Sequence, residues 1–124
     1  PSTAEEARAH AGQIAERALD RVAASAEQRA RVGQVLDRAS PQLWGLRGEA
    51  RDLRGEFHDL LTADVIDRAA IEAARKDALD LFDRGSKVAV GALVDAAEAL
   101  TPDQRRTLAA AIQRFHREGP PAAK

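Results

Sequence analysis

Trp44, Arg47, Arg51, Arg54, His58 and Leu61 recur at alternating intervals of three and four residues, the spacing that sets side chains on one face of an α-helix. The stripe joins an aromatic ring, three guanidiniums and an imidazole. Arginine carries a permanent charge on a flat, weakly hydrated plane, and its aliphatic stem covers apolar surface while the head stays wet. Such a face can hold a partly unfolded chain loosely, by charge attraction first and apolar contact afterwards. The alternative is a plain solvated face, in which these arginines pair with Glu49, Asp52, Glu56 and Asp59 at flanking positions.

Residue sets for covalent or acid–base chemistry are missing. The chain has no Gly-rich phosphate loop, no Gly-x-Ser-x-Gly elbow and no His-Glu-x-x-His. Its histidines, His10, His58 and His116, fall on three different predicted helices, and no two share ligand spacing. His58 beside Asp59 reads as a solvated side chain. Absence of cysteine removes disulfides, thiol catalysis and cysteine metal sites together. The expectation is a protein that is not an enzyme, with no resident cofactor and no metal site within one protomer. A net charge of −1 and no basic tail give no bulk attraction for nucleic acid. No apolar stretch approaches the ~20 residues that span a bilayer. With 124 residues, 44% hydrophobic and 31% charged, the chain reads as one helical domain over 1–124. It begins at Pro1 and contains no methionine, so the expectation is a processed or trimmed product.

The elements that must position the arginine stripe announce themselves by their caps. Ser25-Ala26-Glu27-Gln28-Arg29 and Leu100-Thr101-Pro102-Asp103-Gln104-Arg105 both place a hydroxyl three residues before a glutamine. The hydroxyl of Ser25 or Thr101 accepts from the backbone three residues on, and Gln28 or Gln104 reaches back to the cap's own N–H, a capping box written twice. Pro102 sits at a first helical position, where its missing N–H costs nothing.

These residues carry a resemblance. Leu100-Thr101-Pro102-Asp103-Gln104 matches the LTxxQ signature of the Spy/CpxP-like periplasmic stress proteins, and Ser25 to Gln28 looks like a degenerate first copy. His58-Asp59-Leu60-Leu61, with Asp64, Asp67, Ala69 and Glu72-Ala73, is similar to that family's pattern between its two long helices. The similarity runs from about Ala24 to Phe115. It implies an all-helical, hairpin-shaped protomer in a cradle-like antiparallel homodimer, located in the periplasm, with chaperone, envelope-stress and heavy-metal-sensing relatives. The chaperone relatives present a basic, apolar concave surface, which favours Trp44, Arg47, Arg51, Arg54 and His58 as a client-binding face for unfolded or misfolded proteins. Docking on a membrane sensor protein, as the envelope-stress relative does, is a further reading. The metal-sensing members draw ligands from His, Glu and Met clusters. Here the first region offers His10 with Glu6 and Gln13, while the second holds Ala92 and Ala96 where a His and a Met are expected, so a sensor site inside one protomer is not expected. A zinc site between subunits stays open.

Periodicity supplies the architecture: all-α, four helices, with a long antiparallel hairpin. Val32, Leu36, Ala39, Leu43, Leu46, Ala50, Leu53, Phe57 and Leu60 alternate at four and three, a coiled-coil stripe. Leu43, Leu46, Leu53, Phe57 and Leu60 form its core or dimer seam. The first helix is predicted over about Thr3 to Ala23, with Ile14, Ala18 and Val22 inward. The second runs from Ala26 to about Leu61, with a kink or short break near Ala39 to Pro41. Thr62 caps the third, with Leu61 and Ile66 as a hydrophobic staple. That helix, from about Ala63 to Ala99, carries one stripe of Ala78, Leu81, Gly85, Val88 and Ala92 and another of Leu79, Phe82, Ala89, Leu93, Ala96 and Leu100, wide enough for two neighbours. Gly85, Ser86 and Gly91 would let another backbone come close. The last helix, Pro102 to about Arg117, uses Leu108, Ile112 and Phe115, and 118–124 form a flexible tail. A helix from Ala26 to Leu61 extends roughly 50 Å, against a diameter of roughly 35 Å for a compact chain of this size, so the hairpin protrudes and a second copy is the simplest cover. If Pro41 breaks the helix fully, a compact monomeric bundle results instead.

Overall fold

Four α-helices follow one another in the computed structural model, which describes residues 1–119: α1 (Ala4–Arg21), α2 (Ala26–Thr62), α3 (Arg68–Glu98) and α4 (Pro102–Glu118). No strand occurs among the described residues, so the fold is all-α. Glu118 belongs to α4 and Gly119 caps it; the rest of the expected tail lies outside the described residues.

Local chemistry sets each helix start. Thr3 accepts from the Glu6 N–H at 3.1 Å and opens α1. Both capping boxes form: the Ser25 hydroxyl accepts from the Gln28 N–H and the Thr101 hydroxyl from the Gln104 N–H, while each glutamine Oε1 accepts from its own cap's N–H at 2.9 Å. At the end of α1 the Ala24 N–H reaches Leu19 O and the Ala23 N–H reaches Asp20 O. This is a Schellman turn, which places Ala23 in the left-handed region at φ +50°.

α3 folds back on α2 as an antiparallel hairpin, and α1 lies antiparallel along the first half of α2. Leu46, Leu53, Phe57 and Leu60 are half-buried against α3 within the protomer, and Leu43 is 38% exposed. At the base, Leu19, Val32 and Ala99 are buried with Ala15, Ala24, Leu36, Ala96 and Leu100 packed around them. Two arginines lock α1 in place. Arg8 donates to Asp37 at 2.8 Å, and Arg29 bridges Glu16 at 2.6 Å and Asp20 at 2.9 Å while its Nε donates to Ala24 O.

Several expectations are corrected. α2 is unbroken through Pro41: the proline is exposed, so the carbonyl that loses its partner lies toward solvent rather than in the core. Thr62 ends α2 instead of capping α3, because its hydroxyl donates backward to His58 O at 2.7 Å. The cap is Asp67, whose carboxylate accepts from the Ala70 N–H at 3.1 Å, and α3 starts at Arg68 rather than Ala63. The staple of Leu61 and Ile66 therefore has no helix start to serve, and both are exposed. Of the residues expected inward on the first helix, Val22, the C-cap of α1, is buried and Ala18 is half-buried, but Ile14 is 54% exposed and Leu19 takes its place, packed with Ala15 against Val32 and Leu36. The close approach expected at Gly85 and Gly91 is not used within the protomer: a Cβ on Gly85 would meet Leu46 Cδ1 at 3.9 Å, and one on Gly91 would meet open space.

Candidate functional site

The two motif copies face each other. Gln28 Nε2 donates to Gln104 Oε1 at 2.6 Å and to Ala99 O at 3.1 Å, and Gln104 Nε2 donates to Gln28 Oε1 at 3.1 Å and to Val22 O at 3.2 Å. Each amide thus holds its own helix start, the other amide and the chain end just before the other copy. Ser25, Gln28, Thr101 and Gln104 act together as a latch at the base of the hairpin, while Leu100 packs against the base cluster. Sequence reading found the two caps and missed their pairing.

The arginine stripe lies further along the same helix. α1 covers one face of α2 from Arg29 to about Asp37, and Pro1 reaches Arg47, whose Nη1 donates to Pro1 O at 2.9 Å. Beyond that point the face is open. Trp44 is half-buried at its near end, with the Arg47 guanidinium 4.7 Å from the ring centroid, a cation–π contact. Arg51, Arg54 and His58 follow, all exposed. Arg47, Arg51 and Arg54 form no ion pair among the described residues, and His58 meets Asp59 at 3.4 Å.

The interleaved carboxylates form no ion pair with these arginines, although Asp52, Glu56 and Asp59 border a hollow with Arg51 near the tip. Glu49, Asp52 and Glu56 line a groove with Asp77, Asp80 and Arg84 on the other side of the α2–α3 seam. There Arg84 donates to both oxygens of Glu49 at 2.9 and 3.1 Å and to Asp80 at 2.9 Å. The Arg84 guanidinium holds the Glu49 carboxyl below its ordinary range, and its own pKa is raised in turn. The hairpin therefore has an acidic groove on one side of the seam and, on the other, a basic side in which Arg47 and Arg54 stand clear and Arg51 borders Asp52, Glu56 and Asp59. By helical position the basic side also takes in Leu79, Phe82 and Leu93 of α3, which are 56, 75 and 68% exposed. Of the second stripe expected on α3, Ala96 and Leu100 pack against the base cluster, while Leu79, Phe82 and Leu93 stay exposed within the protomer. Val90, 57% exposed beside them, was not in the expected stripe, since Ala89 satisfies the same spacing.

A helical hairpin with two amide-latched cap motifs at its base defines a class, and the family comparison agrees with it. Residues 2–107 match the heavy-metal resistance family, and the chain belongs to that family. Neither a curated protein nor a solved structure matches it. The family description makes a metal site worth testing against the residues present. Glu6, His10 and Gln13 share a face of α1, but Glu6 accepts from the Ser2 N–H at 3.0 Å and from its hydroxyl at 3.2 Å, bonds that lower its pKa. Among the described residues no three His, Cys, Asp or Glu side chains converge. With no thiolate or thioether in the chain, the donor set does not fit a soft metal ion within one protomer.

Proposed function

We propose that this chain is a periplasmic, ATP-independent chaperone-like or envelope-stress adaptor protein, working as a homodimer, that holds non-native proteins on the basic, apolar side of its α2–α3 hairpin. One observation carries the reading: Arg47, Arg51 and Arg54 follow Trp44 along α2 with no ion-pair partner among the described residues, while Glu49 between them turns across the seam to Arg84. Charges left unneutralised on one face attract acidic chain segments and speed encounter. The neighbouring Leu79, Phe82 and Leu93 offer apolar contact once encounter has happened. No helix of the described residues is long and apolar enough to cross a membrane.

The test is suppression of aggregation of an unrelated acidic protein, with wild type and with Arg47, Arg51 and Arg54 all changed to Glu. Capture by the triple variant should be abolished or greatly slowed with its helicity intact, since these positions lie beside the seam. A folded variant that protects as well as wild type at low salt overturns the reading. The family description favours a second one, a heavy-metal sensor or resistance protein of the same fold. Parallel arms with zinc and nickel separate the two: protection without metal supports the chaperone-like reading, and metal-dependent folding or binding supports the sensor.

A further inference from the structure

We propose that the open half of the basic face of α2 takes an acidic amphipathic helix of a partner chain, laid antiparallel to α2 and end to end with α1. This names the kind of segment held on the surface put forward above, and it rests on that reading. The face is continuous. Arg29, Gly33, Leu36 and Ser40 run on at three and four spacing into Trp44 and Arg47, and the arginine stripe keeps the same phase as far as His58. α1 and the residues ahead of it already cover the first half, from Arg29 to Arg47.

That covered half shows what the face accepts. A helix antiparallel to α2 turns Ala15 and Leu19 onto Val32 and Leu36, and beside this apolar strip Glu16 and Asp20, four positions apart, meet Arg29 at 2.6 and 2.9 Å. The open half makes the same demand with more charge. Arg47, Arg51 and Arg54 stand at four and three spacing, with half-buried Trp44 and exposed Leu61 as apolar surface at the two ends. Nearby acids leave the stripe unfilled: among the described residues Asp52, Glu56 and Asp59 border Arg51 without bridging it, and Glu72 and Asp83 of α3 pair with Arg75 and Lys87. From Arg47 to Leu61 is fourteen positions, so a helix of roughly 21 Å, or about four turns, fits before the tip.

Charge at the two ends sets the direction. At the tip, Asp59, Asp64 and Asp67 outnumber Arg68. A helix running the way α1 runs brings its positive N-terminal end to those carboxylates and its negative C-terminal end to Arg47 and the N-terminus of α1. Of the two acids in the first turn of α1, Glu5 and Glu6, Glu6 is engaged by Ser2. The reverse direction sets two helix N-termini against each other and a helix C-terminus against the tip carboxylates.

Two fourteen-residue peptides of one composition test the proposal. One places leucines at three and four spacing with glutamates four apart beside them, and the other scrambles that order. Calorimetry should show the amphipathic peptide binding tighter by about tenfold or more, with a gain of helix by circular dichroism. Changing Arg47, Arg51 and Arg54 to Glu should remove both signals. The chain has no cysteine, so Leu61→Cys reports the direction: under mild oxidation it should cross-link to the amphipathic peptide carrying an N-terminal cysteine and not to one carrying a C-terminal cysteine. Equal affinity for the two peptides, binding without a gain of helix, or the opposite cross-link overturns the proposal. If aggregation is still suppressed in that case, the client-binding reading stands; a peptide helix that binds as described while the aggregation assay fails overturns that reading alone.

Discussion

At the scale of single residues, Ala23 is a small strain held at a structural joint. It occupies the left-handed region at φ +50°, where a Cβ crowds the following carbonyl and glycine is the usual occupant. Ala23→Gly should raise stability by about 0.5–1 kcal/mol, once glycine's larger unfolded-state entropy is set against the relief, as thermal or urea unfolding would measure. The Gln28–Gln104 pair makes a sharper claim. Thr101→Ala removes one cap bond and should cost about 0.5–2 kcal/mol. Gln28→Ala or Gln104→Ala removes a cap bond, an amide partner and a carbonyl partner at once, and should cost about 1–3 kcal/mol. The double variant should lose clearly less than the sum of the singles; additive losses would mean that the two amides work independently. Both caps were legible in the sequence, because a hydroxyl three residues before a glutamine is local chemistry. Their pairing spans 76 positions, and only the repetition of the motif pointed toward it.

At the scale of the elements, the hairpin is the least ambiguous part of the sequence and its tip the most. Alternating four and three spacing from Val32 to Leu60 outweighs one exposed proline, so α2 runs on to Thr62 as the spacing predicted, without the short break that was one of the two outcomes expected near Ala39 to Pro41. At the tip, Thr62 and Asp67 are both cap-forming types. The choice fell to Asp67 because Thr62 can bond back to His58 O, which composition does not reveal. The inward face of α1 was hidden for a related reason: Ala15, Leu19 and Val22 satisfy helical spacing as well as Ile14, Ala18 and Val22 do, and only the contact of Leu19 with Val32 and Ala99 decides between them. Across the hairpin, Arg84 gives Glu49 a folded-state pKa below its unfolded value. Its contribution is therefore fully present above the unfolded carboxylate pKa of about 4.3 and is lost as pH falls through the lower, folded value. Stability should decline below about pH 4, and Glu49→Gln should flatten that decline in acid unfolding curves. An unchanged slope would mean that the pair contributes nothing, the usual fate of exposed ion pairs.

At the scale of the whole molecule, the described chain buries few side chains, among them Leu19, Val22, Val32, Val35, Ala39, Ala74 and Ala99, and exposes more large apolar ones along α3 and α4. Stability drawn from so thin a core gains from partners, and charge sets which partners arrive first. Raising salt should weaken capture of an acidic client in the same direction as the arginine-to-glutamate change, because screening shortens the reach of an exposed face to about 8 Å at physiological ionic strength. Stopped-flow capture rates across a salt series would check this, and a flat series would show that binding is purely apolar. Trp44 lends itself to the same measurement. It is the chain's lone tryptophan, tyrosine is absent, and a guanidinium rests on its indole at the near end of the open face. The protein thus carries one native fluorophore at the border of the surface proposed to do its work. Anything that lifts Arg47 from the ring or dries the indole changes its emission colour and quenching, so occupancy can be followed optically on the unlabelled wild-type chain.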